Sequence, residues 1–249
     1  MSPGFQNCEL TYLPRLQIDM ERARCQHHEY EKTLEGQGCR IVSLAAEPDL
    51  PDSVFVEDTA IVLDQVAVIT RPGAVSRRAE TGSIASALKP YRELRFIQAP
   101  GTLDGGDVLR VGKTLFVGIS TRSGERGIEQ LGQAVAPFGY TVRPVPVNGC
   151  LHLKSAVTQV GPDALLINRA WANPADFQGM QIIDVDPLEP FGANAIWMGE
   201  CIIYPASWER TRNRLEKEGI IVQTVDVSEL EKAEGAVTCC SLIFEASVK

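Results

Sequence analysis

The feature that most limits how this chain folds is a recurring order of segments. Five polar or reactive positions, Asp58, Asp107, His152, Asn194 and Cys239, each stand at the mouth of a β-rich hairpin. They lie 49, 45, 42 and 45 residues apart. Around them the pattern reads strand, strand, helix, strand. The chain opens with helix formers over 19–36, with Asp19 as the cap, and a short apolar strand over 41–44. Runs 53–56, 59–63 and 66–70 then form a hairpin, followed by a helix over 76–88 and a strand over 94–97. The order recurs with strands 107–111 and 114–118, a helix over 123–136 and a strand over 141–145. It recurs again with strands 155–160 and 164–167, a weak helix near 173–179 and a strand over 181–185. A fourth round has strands 195–198 and 201–204, a helix over 207–218 and a strand over 220–222, and a last strand carries Cys239. A fixed period of this size signals a repeat architecture. Linear solenoids share more identity between units than these segments do, so a closed α/β ring of five units is expected. Equivalent positions of a closed ring converge on its axis and build one shared pocket.

Composition sets the outer limits. The 249 residues are 44% hydrophobic, enough to bury a sizeable core, and the reading is one domain over 1–249. A formal net charge of −8 argues against nucleic acid and anionic membrane as partners and suits a cationic ligand. No apolar run approaches the ~20 residues of a membrane span. The stretch from Met1 to Phe5 has neither the basic start nor the apolar run of a signal peptide. Seven cysteines (Cys8, Cys25, Cys39, Cys150, Cys201, Cys239 and Cys240) make an odd set without a CxxC pair, which points to reduced thiols and a cytoplasmic location. With no HExxH and no paired CxxC, a structural zinc site is not expected. A monomer and a homodimer are both compatible with this composition.

The residues at the repeated positions carry the chemistry. Cys239 and Cys240 are adjacent, and successive side chains of a strand face opposite ways, so only one of them looks into a pocket. The other packs as a small hydrophobe. Asp52, Glu57 and Asp58 flank an apolar run, either as a solvated acidic turn or as a carboxylate cradle for a cation. Asp104 precedes Gly105-Gly106, a pair that permits either positive φ or close backbone approach. His152, between two leucines, is either a core histidine or a general acid/base. Arg77 and Arg122 are either solvated or a clamp for a substrate carboxylate. A thiol beside a histidine, carboxylates suited to a guanidinium and arginines suited to an α-carboxylate together point to an arginine-like substrate.

These motifs resemble the dimethylarginine dimethylaminohydrolases of the guanidino-modifying, or pentein, superfamily. The resemblance runs from about Leu10 to Phe244. It rests on the stretches 50–58, 69–74, 76–78, 102–108, 151–155 and 238–242, taken in that order. It implies a five-bladed α/β propeller of strand-strand-helix-strand units around a central pocket. It implies Cys239 as nucleophile, His152 as acid/base and Asp104 as its carboxylate partner. Asp52, Glu57 and Asp58 would hold the guanidinium and amino groups, Phe55 would line the pocket, and Arg77 and Arg122 would take the carboxylate. Leu10 would lie in a lid. The implied reaction is hydrolysis of the substituted guanidine to citrulline through a covalent cysteine intermediate, with no metal or organic cofactor and a small guanidino compound as the only partner.

Three features depart from that pattern. Glu234 stands where the family places an aspartate, and its extra methylene is expected to reach deeper into the pocket and alter substrate choice. The strand expected before the lid is missing or reduced to Pro3-Gly4-Phe5, which would leave a sheet edge unpaired. The lid stretch carries Glu9, a possible contact for a cationic substrate end. Two other readings stand beside the first: an arginine deiminase-like hydrolase or amidinotransferase acting on another guanidine, and a catalytically silent binding protein on the same fold.

Overall fold

Asp19 starts the first long element of the computed structural model, which describes residues 1–246. Its carboxylate accepts from the backbone N–H groups of Glu21 and Arg22 and caps helix α1 (Met20–Gly36), satisfying donors that have no partner within the helix. Ala23, Gln26, Tyr30 and Leu34 form the buried stripe of α1. The Tyr30 hydroxyl donates to the Val237 carbonyl at 2.8 Å, so α1 backs the stretch that carries the two cysteines.

Four three-stranded sheets follow on one plan. In the first, β1 (Ala60–Val62) pairs antiparallel with β2 (Val66–Ile69), and β2 pairs parallel with β3 (Glu93–Phe96) after a crossover through α2 (Thr81–Leu88). The second has β4 (Val108–Val111), β5 (Thr114–Ile119), α3 (Glu125–Val135) and β6 (Thr141–Pro146). The third opens with the one-turn helix α4 (Leu153–Ala156) and contains β7 (Val157–Gly161), β8 (Ala164–Ile167) and β9 (Gln181–Asp184). The fourth has β10 (Ile196–Trp197), β11 (Cys201–Pro205), α5 (Glu209–Lys217) and β12 (Ile221–Val225), after which comes α6 (Ser228–Glu231). The middle strands β2, β8 and β11 are buried along their whole length, as near-continuous apolar strands flanked on both edges must be. The outer strands β3 and β6 are mostly exposed and β9 and β12 partly so, and all four carry polar or charged residues that guard a free edge.

Most of the core lies between neighbouring units, with a smaller cluster of Ala60, Ala67, Ile69, Ile84 and Leu88 inside the first. Leu63 and Val68 of the first unit pack with Leu115 and Leu131 of the second. Phe116 packs with Leu153 and Leu165, and Leu166 with Ile202 and Leu215. A fourth cluster joins Ile203 and Val225 to Phe5, Tyr30, Val54 and Val237, so the last unit packs back on the start of the chain. Among the described residues no helix is long and apolar enough to cross a membrane.

Several expectations fail locally. Residues 41–44 form no strand; Val42 and Leu44 are exposed and find no neighbouring edge. The stretch 53–56 is a turn leading into a 3-10 segment at Val56–Thr59, because Glu57 and Asp58 are drawn inward by buried partners. The helix expected over 76–88 divides into a 3-10 segment, Val75–Glu80, and α2. The weak helix near 173–179 is a single 3-10 turn, Pro174–Asp176. Pro3-Gly4-Phe5 is no strand either: Phe5–Asn7 is a 3-10 turn with Phe5 in the core. Cys239 lies in a turn over 237–240, not on a strand, so the described residues form four sheets and no fifth.

Replacing Asp19 with Ala removes the cap of α1. A loss of about 1 kcal/mol of stability is expected by urea denaturation; an unchanged midpoint would show that packing alone sets the start of the helix.

Candidate active site

Asp104 is fully buried and stands behind His152. Its Oδ2 lies 3.1 Å from His152 Nε2, and its Oδ1 accepts the Gly73 N–H at 2.8 Å. The two glycines after it serve close approach, since neither has a positive φ. A Cβ on Gly105 would meet the Glu57 carbonyl oxygen at 1.9 Å, and one on Gly106 would meet Asp58 Oδ1 and His152 Nδ1, each at 2.7 Å. Gly106 N–H donates to Asp58 Oδ1 at 2.9 Å, and Asp58 Oδ1 lies 3.7 Å from His152 Nε2. Burial alone would lower the pKa of His152; Asp58, the bond to Asp104 and the nearby Asp107 outweigh it and raise the group to about 9. Asp58 moves the other way: burial raises it, but His152 and Arg77 hold it well below the usual carboxylate range. Asp58, Asp104 and His152 each offer one donor atom within 4.8 Å of the others, a set of the kind that holds a cation, although these oxygens already face the imidazole, Arg77 and the Gly106 N–H.

Cys239 occupies a turn whose backbone is tied on both sides. Its N–H donates to the Ala236 carbonyl, and its own carbonyl accepts the Glu57 N–H at 3.1 Å. Burial first, then Glu57 and Asp58, push its thiol up to about 12. Cys240 is 9% exposed and belongs to the core that also holds Tyr30 and Val237, while Cys239 stands at the border of that core. The division of labour between the cysteines therefore survives, but a tight turn enforces it rather than strand alternation.

A small cavity of about 20 Å³ collects Asp52, Phe55, Asp58, Arg77, Arg122, His152, Glu234 and Cys239. Glu57, Asp104 and Leu10 do not line it. Glu57 turns to the opposite side, where its carboxylate pairs with Lys154 and accepts the Thr238 hydroxyl at 2.8 Å, facing a separate cavity of about 300 Å³. Arg77 is 4% exposed and deeply engaged: Nη1 donates to Asp58 at 2.5 Å, Nη2 to Glu80 at 2.8 Å and to the Phe55 carbonyl at 2.9 Å. Arg122 is less enclosed by partners, with Nη2 on the Thr11 hydroxyl at 3.1 Å and Nη1 3.8 Å from Asp104.

The lid closes over this cavity and explains Glu234. Residue 234 adopts φ 59°, the left-handed region that a non-glycine residue rarely enters. From there its carboxylate accepts the backbone N–H groups of Thr11 at 2.9 Å and of Tyr12 and Leu13 at 2.5 Å. The extra methylene thus carries the carboxylate into the lid rather than deeper into the pocket. Asp52 accepts the Glu9 N–H at 3.1 and 3.2 Å, and the Glu9 carboxylate accepts the Ser76 hydroxyl at 2.6 Å. Leu10, like Cys239, packs against the core cluster that includes Cys240.

The sequence and the fold are similar to those of known proteins. The chain is 35% identical over 228 residues to the N(G),N(G)-dimethylarginine dimethylaminohydrolase of Pseudomonas aeruginosa, covering 91% of this chain and 90% of that one. It is 38% identical over 243 residues to the protein of the same name from Streptomyces coelicolor, covering 97% and 93%. The chain belongs to the dimethylarginine dimethylaminohydrolase family. Among solved structures, a cysteine-to-serine variant of the Pseudomonas aeruginosa dimethylarginine dimethylaminohydrolase complexed with citrulline matches at TM-score 0.92 and 33% identity, covering 98% of this chain and 96% of that one. No family profile matches the chain.

The site also gathers residues that the sequence did not single out. Glu80, raised to about 7 by burial despite Arg77, completes the Asp58–Arg77 pair. Lys154 and Thr238 join Glu57 beneath the cysteine turn. Arg77 and Glu80 stand at i,i+3, a spacing that could have flagged the pair.

Two outcomes follow from this geometry. Glu234→Ala releases three lid N–H groups, and hydrogen bonds to a charged acceptor contribute about 1.5–3 kcal/mol each. Iodoacetamide is expected to alkylate Cys239 at least about tenfold faster in this variant, with the exposed Cys25 as internal reference; an unchanged ratio would rule out the latch. His152 binds its proton more tightly when folded, so its contribution is complete below pH 6.5 and is lost as pH rises toward 9. The denaturation midpoint should fall across that window, and His152→Gln should flatten the fall; equal slopes would assign the window to other groups.

Proposed function

We propose that this chain hydrolyses Nω,Nω-dimethylarginine, or the monomethyl compound, to citrulline and dimethylamine or methylamine, through a covalent intermediate on Cys239. The observation that carries the reading is the single cavity in which a thiol, an imidazole, four carboxylates (Glu9, Asp52, Asp58 and Glu234) and two guanidinium groups converge. Relatives that bear the dimethylarginine dimethylaminohydrolase name and a matching structure that holds citrulline support the same reaction. The whole chain, 1–249, would form the one domain this needs, a five-bladed α/β propeller whose fifth unit joins the two ends of the chain. Its place of action would be the cytoplasm, as a monomer or a homodimer.

In this mechanism Asp58 and Asp52 receive the cationic guanidinium and α-amino groups, Phe55 walls the cavity, and Arg122 with Arg77 faces the α-carboxylate. The substrate's charge favours the Cys239 thiolate, whose proton leaves to solvent. The sulfur attacks the guanidinium carbon. As the carbon–nitrogen bond breaks, His152, held protonated at neutral pH, donates its proton to the departing amine. The result is an S-alkylthiouronium on Cys239 and a neutral imidazole. That imidazole takes one proton from water as the water oxygen attacks the same carbon. The carbon–sulfur bond then breaks, the remaining hydroxyl proton passes to the departing sulfur as the carbonyl forms, and citrulline leaves with the Cys239 thiol and the His152 imidazolium restored. Asp104 orients the imidazole and stabilises its charged form throughout. Acid–base assistance of this kind contributes about 10²–10⁴-fold. Glu234 was the residue that favoured another guanidine as substrate. Its engagement with the lid removes that ground.

Cys239→Ser is expected to abolish release of dimethylamine from asymmetric dimethylarginine, while Cys240→Ser retains it. Full activity in Cys239→Ser would overturn the mechanism. Ammonia from arginine without dimethylamine from dimethylarginine would overturn the substrate.

A further inference from the structure

Asn194, like Asp107, is a repeated position that takes no part in the proposed reaction, whereas Asp58, His152 and Cys239 of the first, third and fifth units enter it. It is 3% exposed, yet it makes three hydrogen bonds. Its Oδ1 accepts the Thr238 N–H at 3.0 Å, and its Nδ2 donates to Thr238 Oγ1 at 2.9 Å and to the Lys154 carbonyl at 3.0 Å. One acceptor and two donor contacts match the two ends of a side-chain amide, so the network itself sets its orientation. Thr238 is the residue immediately before Cys239. Its hydroxyl, while accepting from Asn194, donates to Glu57 Oε2 at 2.8 Å.

The turn over 237–240 belongs to no sheet among the described residues, so no ladder of backbone bonds fixes where Cys239 stands. Asn194 is itself rigidly seated. The Thr158 hydroxyl donates to the Ala193 carbonyl at 2.6 Å and accepts the Ala195 N–H at 3.1 Å, gripping both neighbours of Asn194. A continuous buried polar chain therefore runs from strand β7 through Asn194 to the residue that leads into the cysteine. We infer that Asn194 is a positioning residue: it holds the 238–239 peptide so that the Cys239 sulfur stands in attacking position, and it does so in place of the strand pairing that this turn lacks. A reacting atom misplaced by about 1 Å can lose 10²-fold in rate.

This inference rests on Cys239 as the nucleophile, and the test separates the two. Asn194→Ala and the isosteric Thr238→Val are each assayed with dimethylarginine beside Cys239→Ser, with folding checked by thermal denaturation. Asn194→Ala is expected to lower kcat about 10- to 100-fold with KM changed less than about threefold. Thr238→Val keeps the backbone bond to Asn194 and loses the hydroxyl, so a smaller fall in kcat is expected. Because both act through one clamp, the double variant should lose less than the product of the two single effects. Burst formation of the covalent intermediate should slow in parallel with kcat. If Cys239→Ser is inactive while Asn194→Ala, correctly folded, keeps its wild-type kcat, the positioning role is overturned. A fall in KM alone, or strictly multiplicative single effects, also overturns it. If Cys239→Ser is active, the nucleophile assignment fails first and the positioning role with it. Should Asn194→Ala not fold, Thr238→Val decides: an unchanged burst rate in that variant overturns the clamp.

Discussion

A circle of hydrogen bonds in which each unit accepts a backbone N–H from the next holds the centre of this molecule together. Asp58 accepts from Gly106, Asp107 from Leu153 at 2.9 Å, Thr158 from Ala195, and Asn194 from Thr238. The Cys239 carbonyl accepts from Glu57 and returns the circle to its start. In each case the donor lies at or within one residue of the next repeated position. Each bond is buried, where leaving a polar group without its partner costs about 1–3 kcal/mol. The circle therefore opposes the drift of any one unit, and it brings the reactive side chains of distant segments to one axis. It also joins the units where the described residues form only four sheets.

The same centre concentrates charge. Asp52, Asp58, Glu80, Arg77, Asp104 and His152 are all buried. Isolated, each would be strongly disfavoured there. They are tolerable because Arg77 bridges Asp58 and Glu80 and because His152 sits between Asp58 and Asp104. Glu80 shows the limit of that compensation: even beside Arg77 its carboxyl is raised to about 7. Breaking one partner from such a cluster is more damaging than its net stabilisation suggests, since the remaining charge stays buried. A cluster of this kind is better explained by the cation it receives than by stability.

Much of this was legible in the sequence because the repeat places polar residues where apolar ones would otherwise pack. The spacing of Asp58, Asp107, His152, Asn194 and Cys239 located the axis, and the alternation of β-rich and helix-forming runs located every strand of the four sheets to within a few residues. The turns at the centre were not legible. Residues 53–56 read as a strand by composition, but the next two, Glu57 and Asp58, bend inward to reach Lys154 and Arg77, partners remote in sequence or in a different element. Cys239 sits among apolar residues that suit a strand, yet the contacts that shape its turn come from Glu57, Asn194 and Tyr30. Glu234 was read as a longer pocket carboxylate; its destination depends on a left-handed backbone and on amides more than two hundred residues earlier. Tertiary partners overrode local preference at the very residues that carry the chemistry.

Under the proposed reaction, the resting site suppresses its own nucleophile. With burial, Glu57 and Asp58 pushing it up to about 12, Cys239 is a thiol rather than a thiolate at neutral pH. Random electrophiles therefore meet a thiol, not a thiolate. A guanidinium in attacking contact brings a positive charge to ~3.5–4 Å from the sulfur, which at an effective dielectric of ~20 is an interaction of about 4 kcal/mol, or about three pKa units. That shift lowers the thiol toward the range in which a thiolate can form, while His152, raised to about 9, stays protonated at neutral pH. Citrulline carries a neutral ureido group and supplies no such field, so the thiol returns to its protonated state once product forms. Asp58 and Glu57, which hold the thiol protonated in the empty site, thus make its activation depend on the cation that Asp58 receives.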